Sequence, residues 1–524
     1  MRVVGRAPAS GLRRDLLWLL ALAVVAAVAL LSASEVSLLR WLPRRGPVAE
    51  PSQTLRVDLP FEDYSALLEQ RDRALAAGVV LTQVDDFLPA VVRVDDEVVD
   101  ARLRLVEGPT DRLGADGQWP FEVRVRDEAT LLGMQRFSLL APEAVGGEAR
   151  IALNRAMRHE GILVAPISWV RLVFNGDDRG VYAMQAGLTD ALPASQDRPG
   201  GVVLGFDADR FWQQVAGFQG DLSLALADPI LELEGLHYLE ADAFGDTAIE
   251  RDPLLEAQRD AALAQLHHLQ ARTRPAGEVV NVDRYARFLA LVDLWGLPQL
   301  ASPLNLGLAY EPESGLLEPV AAGGGLGAWT DTRLDLGATY GDPHVQVAYA
   351  RAATRMSSRE YLDELRSTLG DGTDPALWDS LAERQALILG SLTPARPVFA
   401  YLAEPTKGTF GVLRVGIANV TRLPLEIQGF DINGLLFIDM DPGWQLDGQA
   451  LRLASMDGVV LQAYSADDGI RYAHFDIPLT ATLDDRIDPN EGLDVSVVAR
   501  VAGAEDNSLT PVPVGLPSLL MEAE

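Results

Sequence analysis

The chain has 524 residues, 75 acidic against 44 Lys and Arg, a formal charge of −31 and no cysteine. No disulfide framework, cysteine-based metal site or thiol nucleophile is therefore available, and so acidic a chain lacks the basic footprint of a nucleic-acid binder. Of the basic residues only Lys407 is a lysine, whereas ATP-dependent kinases set a lysine against the nucleotide phosphates; an arginine fork holds phosphate too but is no like-for-like substitute.

From Leu16 to Ser34 the chain runs LLWLLALAVVAAVALLSAS, nineteen residues without a formal charge. That is about the length needed to cross a roughly 30 Å hydrocarbon core as a helix. Arg2, Arg6, Arg13 and Arg14 precede it, offset only by Asp15, and a basic flank favours a cytoplasmic N-terminus. The expectation is a basic cytoplasmic stub over 1–15, a transmembrane helix over 16–34 and a proline-containing juxtamembrane spacer over 35–54. The protein would then be a single-pass membrane protein with its bulk periplasmic or extracellular. A cleaved signal peptide ending near Ser32-Ala33-Ser34 is the competing reading. The first fifty residues hold seven arginines and three acidic residues, a net +4, so −35 remains on the rest.

Beyond the spacer, Leu55 to Leu59 alternates like a strand and Phe61 to about Ala77 reads as a helix. Residues 91–139 alternate as sheet: Val92 and Val94, Leu103 and Leu105, then Trp119, Phe121, Val123 and Val125 after a turn-rich DRLGADG. A helix is expected from Gly147 to Glu160. Two strands follow around the Asn175-Gly176 turn, a hairpin signal. Helices are expected over 252–271 and 282–294, the second capped by Asn281, then a hairpin over 306–322 and helices over 344–369 and 375–390. After Thr393-Pro394-Ala395-Arg396-Pro397 short alternating runs predict a small all-β domain at 398–516. His267 and His268 are successive helix positions that do not face each other, which disfavours a two-ligand metal site.

Four stretches carry a resemblance: ARLRLVEGPTDRLGADGQWPFEVRV at 101–125, LGMQRFSLLAPEAVGGEARIALNRAMRHEG at 132–161, RLVFNGDDRGVYAMQ at 171–185 and NLGLAYEPESGLLEPVAAGG at 305–324. In this order they resemble the spore-coat CotH kinase family, in its divergent membrane-anchored bacterial branch, over roughly residues 90–390. The hairpin residues Asn175, Gly176, Gly180 and Tyr182 are the most specific element, and Asn305 opens the second asparagine-containing segment. The resemblance implies an α+β chain: an atypical protein-kinase-like, two-lobed core over 55–395, followed by the sandwich-like β domain and preceded by the membrane helix.

Active relatives bind ATP with Mg or Mn, which needs cations on the phosphates and acids on the metal. At the positions where the family carries such groups this chain has Gln118, Glu122 in place of a basic residue, Asn154, Gln185-Ala186 and Ala322. The resemblance therefore implies a degenerate cleft built from Gln118, Asn154, Gln185 and Ala322, no cofactor, and a pseudokinase acting as a binding or assembly protein with an envelope protein or polysaccharide machinery as partner. Two alternatives remain open. An active atypical kinase would use relocated metal ligands Asp331, Asp335 and Asp342, phosphate contacts from Arg104 and Arg124, and the glycine cluster at 323–327. A carbohydrate-binding or processing protein would use Trp444, Tyr472 and Phe475 as a sugar platform.

Overall fold

Buried and exposed side chains alternate along the strands of the N-terminal half, and that period of two lets one face turn inward around a closed core. The computed structural model describes residues 51, 53–114, 117–127, 129–221, 240–244, 249–321, 342–370, 374–403, 412–437, 444–450, 459–464, 469–478, 494–504 and 510–515. In chain order the first strands are β1 (Thr54–Asp58), β2 (Val79–Val80), β3 (Leu88–Val94), β4 (Glu97–Leu105), β5 (Gly108–Pro109), β6 (Phe121–Val125), β7 (Arg136–Leu140), β8 (Leu163–Val164), β9 (Ile167–Phe174) and β10 (Asp177–Ala186). All except β2, β5 and β8 close into a barrel in the order β1-β3-β4-β6-β7-β10-β9.

Six neighbouring pairs in that ring are antiparallel, and β1 meets β9 in parallel, Leu55 opposite Leu172 and Val57 opposite Phe174. The interior holds Leu55, Val57, Val92, Leu103, Val123, Phe137, Leu139, Leu172, Tyr182 and Met184, with Phe121 stacked on Phe174 at 5.0 Å. Each large side chain so buried contributes about 1.5–3 kcal/mol. The helix Phe61–Ala77 adds Leu67 and Ala74 to the same core.

A second sheet is formed by β11 (Val203–Phe206), β12 (Ala241–Ala243), β13 (Leu306–Glu311) and β14 (Leu316–Ala321) with β8, in the order β12-β11-β13-β14-β8. Around it lie the helices Glu148–His159, Pro253–Gln270, Val282–Leu294, Pro343–Met356, Arg359–Leu369 and Pro375–Leu392. Helix Val282–Leu294, whose first turn is capped by Asn281 accepting from Arg284 N at 3.2 Å, is buried almost throughout. Its Asp293 is fully buried and accepts from the Tyr349 hydroxyl and from Arg384 Nη2 at 2.9 Å. One carboxylate thus joins three helices.

From Val398 onward the described elements are strands: β15 (Val398–Ala403), β16 (Val412–Asn419), β17 (Leu425–Ile432), β18 (Leu435–Phe437), β19 (Gln445–Leu446), β20 (Gln449–Ala450), β21 (Val459–Leu461), β22 (Ala473–Pro478), β23 (Val495–Val501) and β24 (Thr510–Pro513). They form the sheets β15-β16-β22-β19-β20 and β18-β17-β23-β24, with β21 also on β17. Phe430 of the second sheet meets Phe475 of the first at 5.4 Å and Trp444 at 5.5 Å.

Two expectations are corrected. The kinase-like two-lobed core is not the observed fold: the strands supplied by 101–125, 132–161 and 171–185 are taken up with β1 and β3 into the closed barrel. The expected transmembrane helix at 16–34, with the stub at 1–15, lies outside the described residues, and among the described residues no helix is long and apolar enough to cross a membrane. The two longest, Pro253–Gln270 and Pro375–Leu392, carry Glu256, Arg259 and Asp260 in one and Asp379, Glu383 and Arg384 in the other. Membrane tethering, and with it the single-pass periplasmic or extracellular placement, therefore finds no support among the described residues.

Removing one partner of a buried ion pair strands the other charge, at about 3–5 kcal/mol, whereas replacing both by apolar groups is far milder. Asp293→Ala is expected to lower the urea-unfolding free energy by that amount, and Asp293→Leu with Arg384→Met by much less. Equal losses in the two variants would show that the pair does not act as a unit.

Candidate functional site

The outward faces of β4, β6 and β7 carry arginines in register. Arg102 lies opposite Arg124, and Arg124 opposite Arg136; one row over, Arg104 lies opposite Glu122, and Glu122 opposite Ser138. Like charges side by side on a sheet are unfavourable, and Glu122 is the compensating group. It accepts from Arg104 Nε at 2.7 Å, Arg136 Nε at 2.8 Å and Arg124 Nε at 3.0 Å. Burial pushes the Glu122 carboxyl up, but Arg136, Arg104 and Arg124 together outweigh it and hold it at about 2. The Arg124 guanidinium is nevertheless pushed down, by its own burial and then by Arg136. One carboxylate does not neutralise the group, and the wall stays cationic. Arg104 and Arg124 also place their Cζ atoms 4.3 and 4.2 Å from the Phe87 ring centre, a favourable cation–π arrangement.

Facing this wall is the helix Asp209–Gly217. Its apolar side, Phe211, Trp212 and Val215, packs with Val79. Behind it Gly220 and Gly78 approach backbone to backbone: a Cβ on Gly220 would stand 2.2 Å from the Gly78 carbonyl oxygen, and one on Gly78 would stand 2.3 Å from that of Gln219. Only glycine permits that approach. Between helix and barrel lies a cavity of about 540 Å3, lined by Thr82, Gln83, Phe87, Arg104, Glu107, Arg124, Asp209 and Gln213 among others. This size lies within the range of small-molecule sites.

Glu107 and Asp209 supply the opposite charge, and neither has an ion-pair partner within the salt-bridge limit among the described residues. Burial, then Asp209, pushes the Glu107 carboxyl up to about 7, with Asp207 and Glu122 adding to the rise and Arg104 opposing it. Asp209 is raised by burial and then by Asp207. Among the described residues no group of three His or acidic side chains is placed to hold a metal ion.

The sequence candidates are placed as follows. Arg104 and Arg124 meet in the cavity wall. Gln118 lies elsewhere: its Nε2 donates to Val181 O at 2.7 Å and Arg179 O at 3.2 Å, clipping the hairpin. Asn154 donates to Ala165 O at 2.8 Å, and Gln185 is buried on β10 opposite Ser138 and Ile167. The position of Gln118 beside Val181 is about 13 Å along β10 from Gln185 at 3.3 Å per residue, so the expected cleft of four is not assembled around Gln118. Ala322, Asp331, Asp335 and the glycine cluster lie outside the described residues.

In the hairpin, Asn175 Oδ1 accepts from Leu59 N at 2.7 Å and ties the turn to the end of β1. Gly176 completes the turn, and Gly180 (φ 82°) resumes pairing opposite Leu172 after a bulge at Arg179. Tyr182 is in the barrel core, where burial pushes its phenol up. Asn305 donates to Gln299 O at 3.0 Å. Asp342 caps helix Pro343–Met356, accepting from His344 N and from Ala276 N, each at 2.8 Å. Trp444 and Phe475 are core residues, while Tyr472 packs against Tyr401 and Phe399. Sequence reasoning missed Phe87, Glu107, Asp209 and Gln213. The only signal at hand was the Asp207-Ala208-Asp209 pair opening a helix.

Comparison with known proteins finds no matching family model and no matching curated sequence. The CotH-like resemblance rests on the quoted motifs.

Two linked pH effects are expected. Glu122 has a depressed folded-state pKa, so its stabilisation is present above about 4.5 and is lost as pH falls through about 2. Glu122→Gln should flatten the acid limb of the stability curve and cost about 3–5 kcal/mol at pH 7. Glu107 has the opposite sign: its raised pKa makes stability decline as pH rises from about 4.5 through about 7. Urea midpoints between pH 5 and 8 should therefore fall less in Glu107→Gln than in the unmodified chain; parallel curves would contradict the placement of Glu107.

Proposed function

We propose that this chain is a non-catalytic binding protein whose ligand occupies the cavity between the barrel and helix Asp209–Gly217. The observation that carries this reading is the cavity itself, which holds incompletely compensated charge on both of its walls. Ionised Glu107, partly buried in this cleft, is costly unless something answers it, and a bound solute does so.

The CotH-like resemblance supports the same reading from another side. At positions where active relatives carry charged groups, Gln118 and Asn154 donate to backbone carbonyls of this chain, which suits a scaffold better than phosphoryl transfer. A sugar platform on the β domain is not favoured, because Trp444 and Phe475 lie in its core.

The test is a thermal-shift screen of the purified chain against small carboxylates, phosphates, amines and amino acids. At least one compound should raise the melting temperature saturably by a few degrees, and the shift should shrink in Arg124→Gln. A compound that is chemically converted, or ATP turnover with Mg lost in Asp209→Asn, would overturn the non-catalytic reading.

A further inference from the structure

The two walls of the cavity differ in sign, and each lacks a complement. On the barrel side Arg104 is fully engaged: Nε and Nη2 are on Glu122 and Nη1 donates to Gln83 O at 3.2 Å. Arg124 is not. Its Nε and Nη2 are on Glu122, its Nη1 has no partner among the described residues, and its side chain is 42 % exposed against 15 % for Arg104. An arginine offers five donors in a fixed fork, and here part of that fork is open beside a carboxylate-poor surface of Arg102, Arg104 and Arg136. On the other side, Glu107 and Asp209 line the same cavity, and Asp209 and Asp207 both raise the affinity of Glu107 for a proton.

A simple anion would answer only the barrel wall and be repelled by Glu107 and Asp209. A simple cation would answer only the acids and be repelled by the arginines. A molecule carrying both charges answers both walls at once, and the cavity, at about 540 Å3, leaves room for more than the charged ends. We propose that the cavity binds a small zwitterion of the amino-acid class, its carboxylate on Arg124 and its ammonium between Glu107 and Asp209. Gln213 and Thr82, neutral donors and acceptors on the cavity lining, contact the rest of the molecule.

This inference rests on the binding-protein reading and adds a signature of its own. Bringing an ammonium beside Glu107 favours its ionised form, so binding near neutrality releases a proton into solution. An ordinary salt contact between fully ionised groups releases none.

The experiment is titration calorimetry of the full chain with a panel of free L-amino acids, followed by the N-acetyl and carboxamide forms of any that binds, with inorganic phosphate alongside. The free amino acid should bind saturably, and each blocked form should bind about tenfold more weakly or worse, the loss expected for one charge-assisted contact. At pH 7, heats measured in two buffers of different ionisation enthalpy should report release of about half a proton, absent in Glu107→Gln. That variant should weaken the free amino acid while leaving the N-acetyl form unchanged; Arg124→Gln should weaken it while leaving the carboxamide unchanged. The blocked ligands make the test on the unmodified chain even if a variant does not fold. Phosphate or an N-acetyl form binding as tightly as the zwitterion would overturn the proposal and leave the binding-protein reading standing. The same holds if carboxamides bind as tightly. No saturable binding by any amino acid up to about 10 mM sinks the zwitterion, and with an empty thermal-shift screen it sinks the binding-protein reading as well.

Discussion

The parallel pairing of β1 with β9 is the constraint on which the rest of the barrel depends. Six antiparallel steps around seven strands bring the last strand back pointing the same way as the first, so an odd ring closes only through one parallel seam. That seam joins the first described strand to one more than a hundred residues later, and the Asn175 side chain accepting from Leu59 N secures its end. Were it open, two strand edges and the apolar interior around Phe121 and Phe174 would face water. Closed, it fixes the register that sends Arg104, Glu122 and Arg124 outward together.

The site follows from that register. Strand pairing sets Arg102, Arg124 and Arg136 side by side on three adjacent strands with Arg104 one row over, a crowding eased because Glu122 accepts from Arg104, Arg124 and Arg136 and Phe87 lies against Arg104 and Arg124. The positive excess that survives is local. The chain as a whole is strongly acidic, and the far wall of the same cavity returns to that character within one ligand's width. If the proposed ligand binds there, a cleft of two signs would discriminate as much by the charge that repels as by the charge that attracts.

Local structure was legible where one period dominated. The helix at Phe61–Ala77, the Asn281 cap and the strands either side of Asn175-Gly176 follow from apolar spacing and turn chemistry that act over a few residues. Barrel closure was not legible, since nothing in β1 names β9 as its neighbour. Reading the middle of the chain through a family resemblance supplied a two-lobed core in its place. The site divides in the same way. Arg104 and Arg124 stood out as charges on predicted strands. Glu107 and Asp209 did not, because their meeting depends on where helix Asp209–Gly217 comes to rest. Gln118 and Asn154 were read as relics of chemistry, and in the fold they hold carbonyls of loops and strands.

The Gly78 and Gly220 contact has a bearing on how such a cleft changes over time. There the end of helix Phe61–Ala77, at Gly78, meets the segment after helix Asp209–Gly217 through peptide planes in direct contact, not through any side chain that lines the cavity. Aperture and taste are thereby separate characters. In the proposed binding role, substitutions at Thr82 or Gln213 would change which solute is preferred without touching this contact. A side chain at either glycine would instead force the two backbones apart and shift the helix that forms one cavity wall.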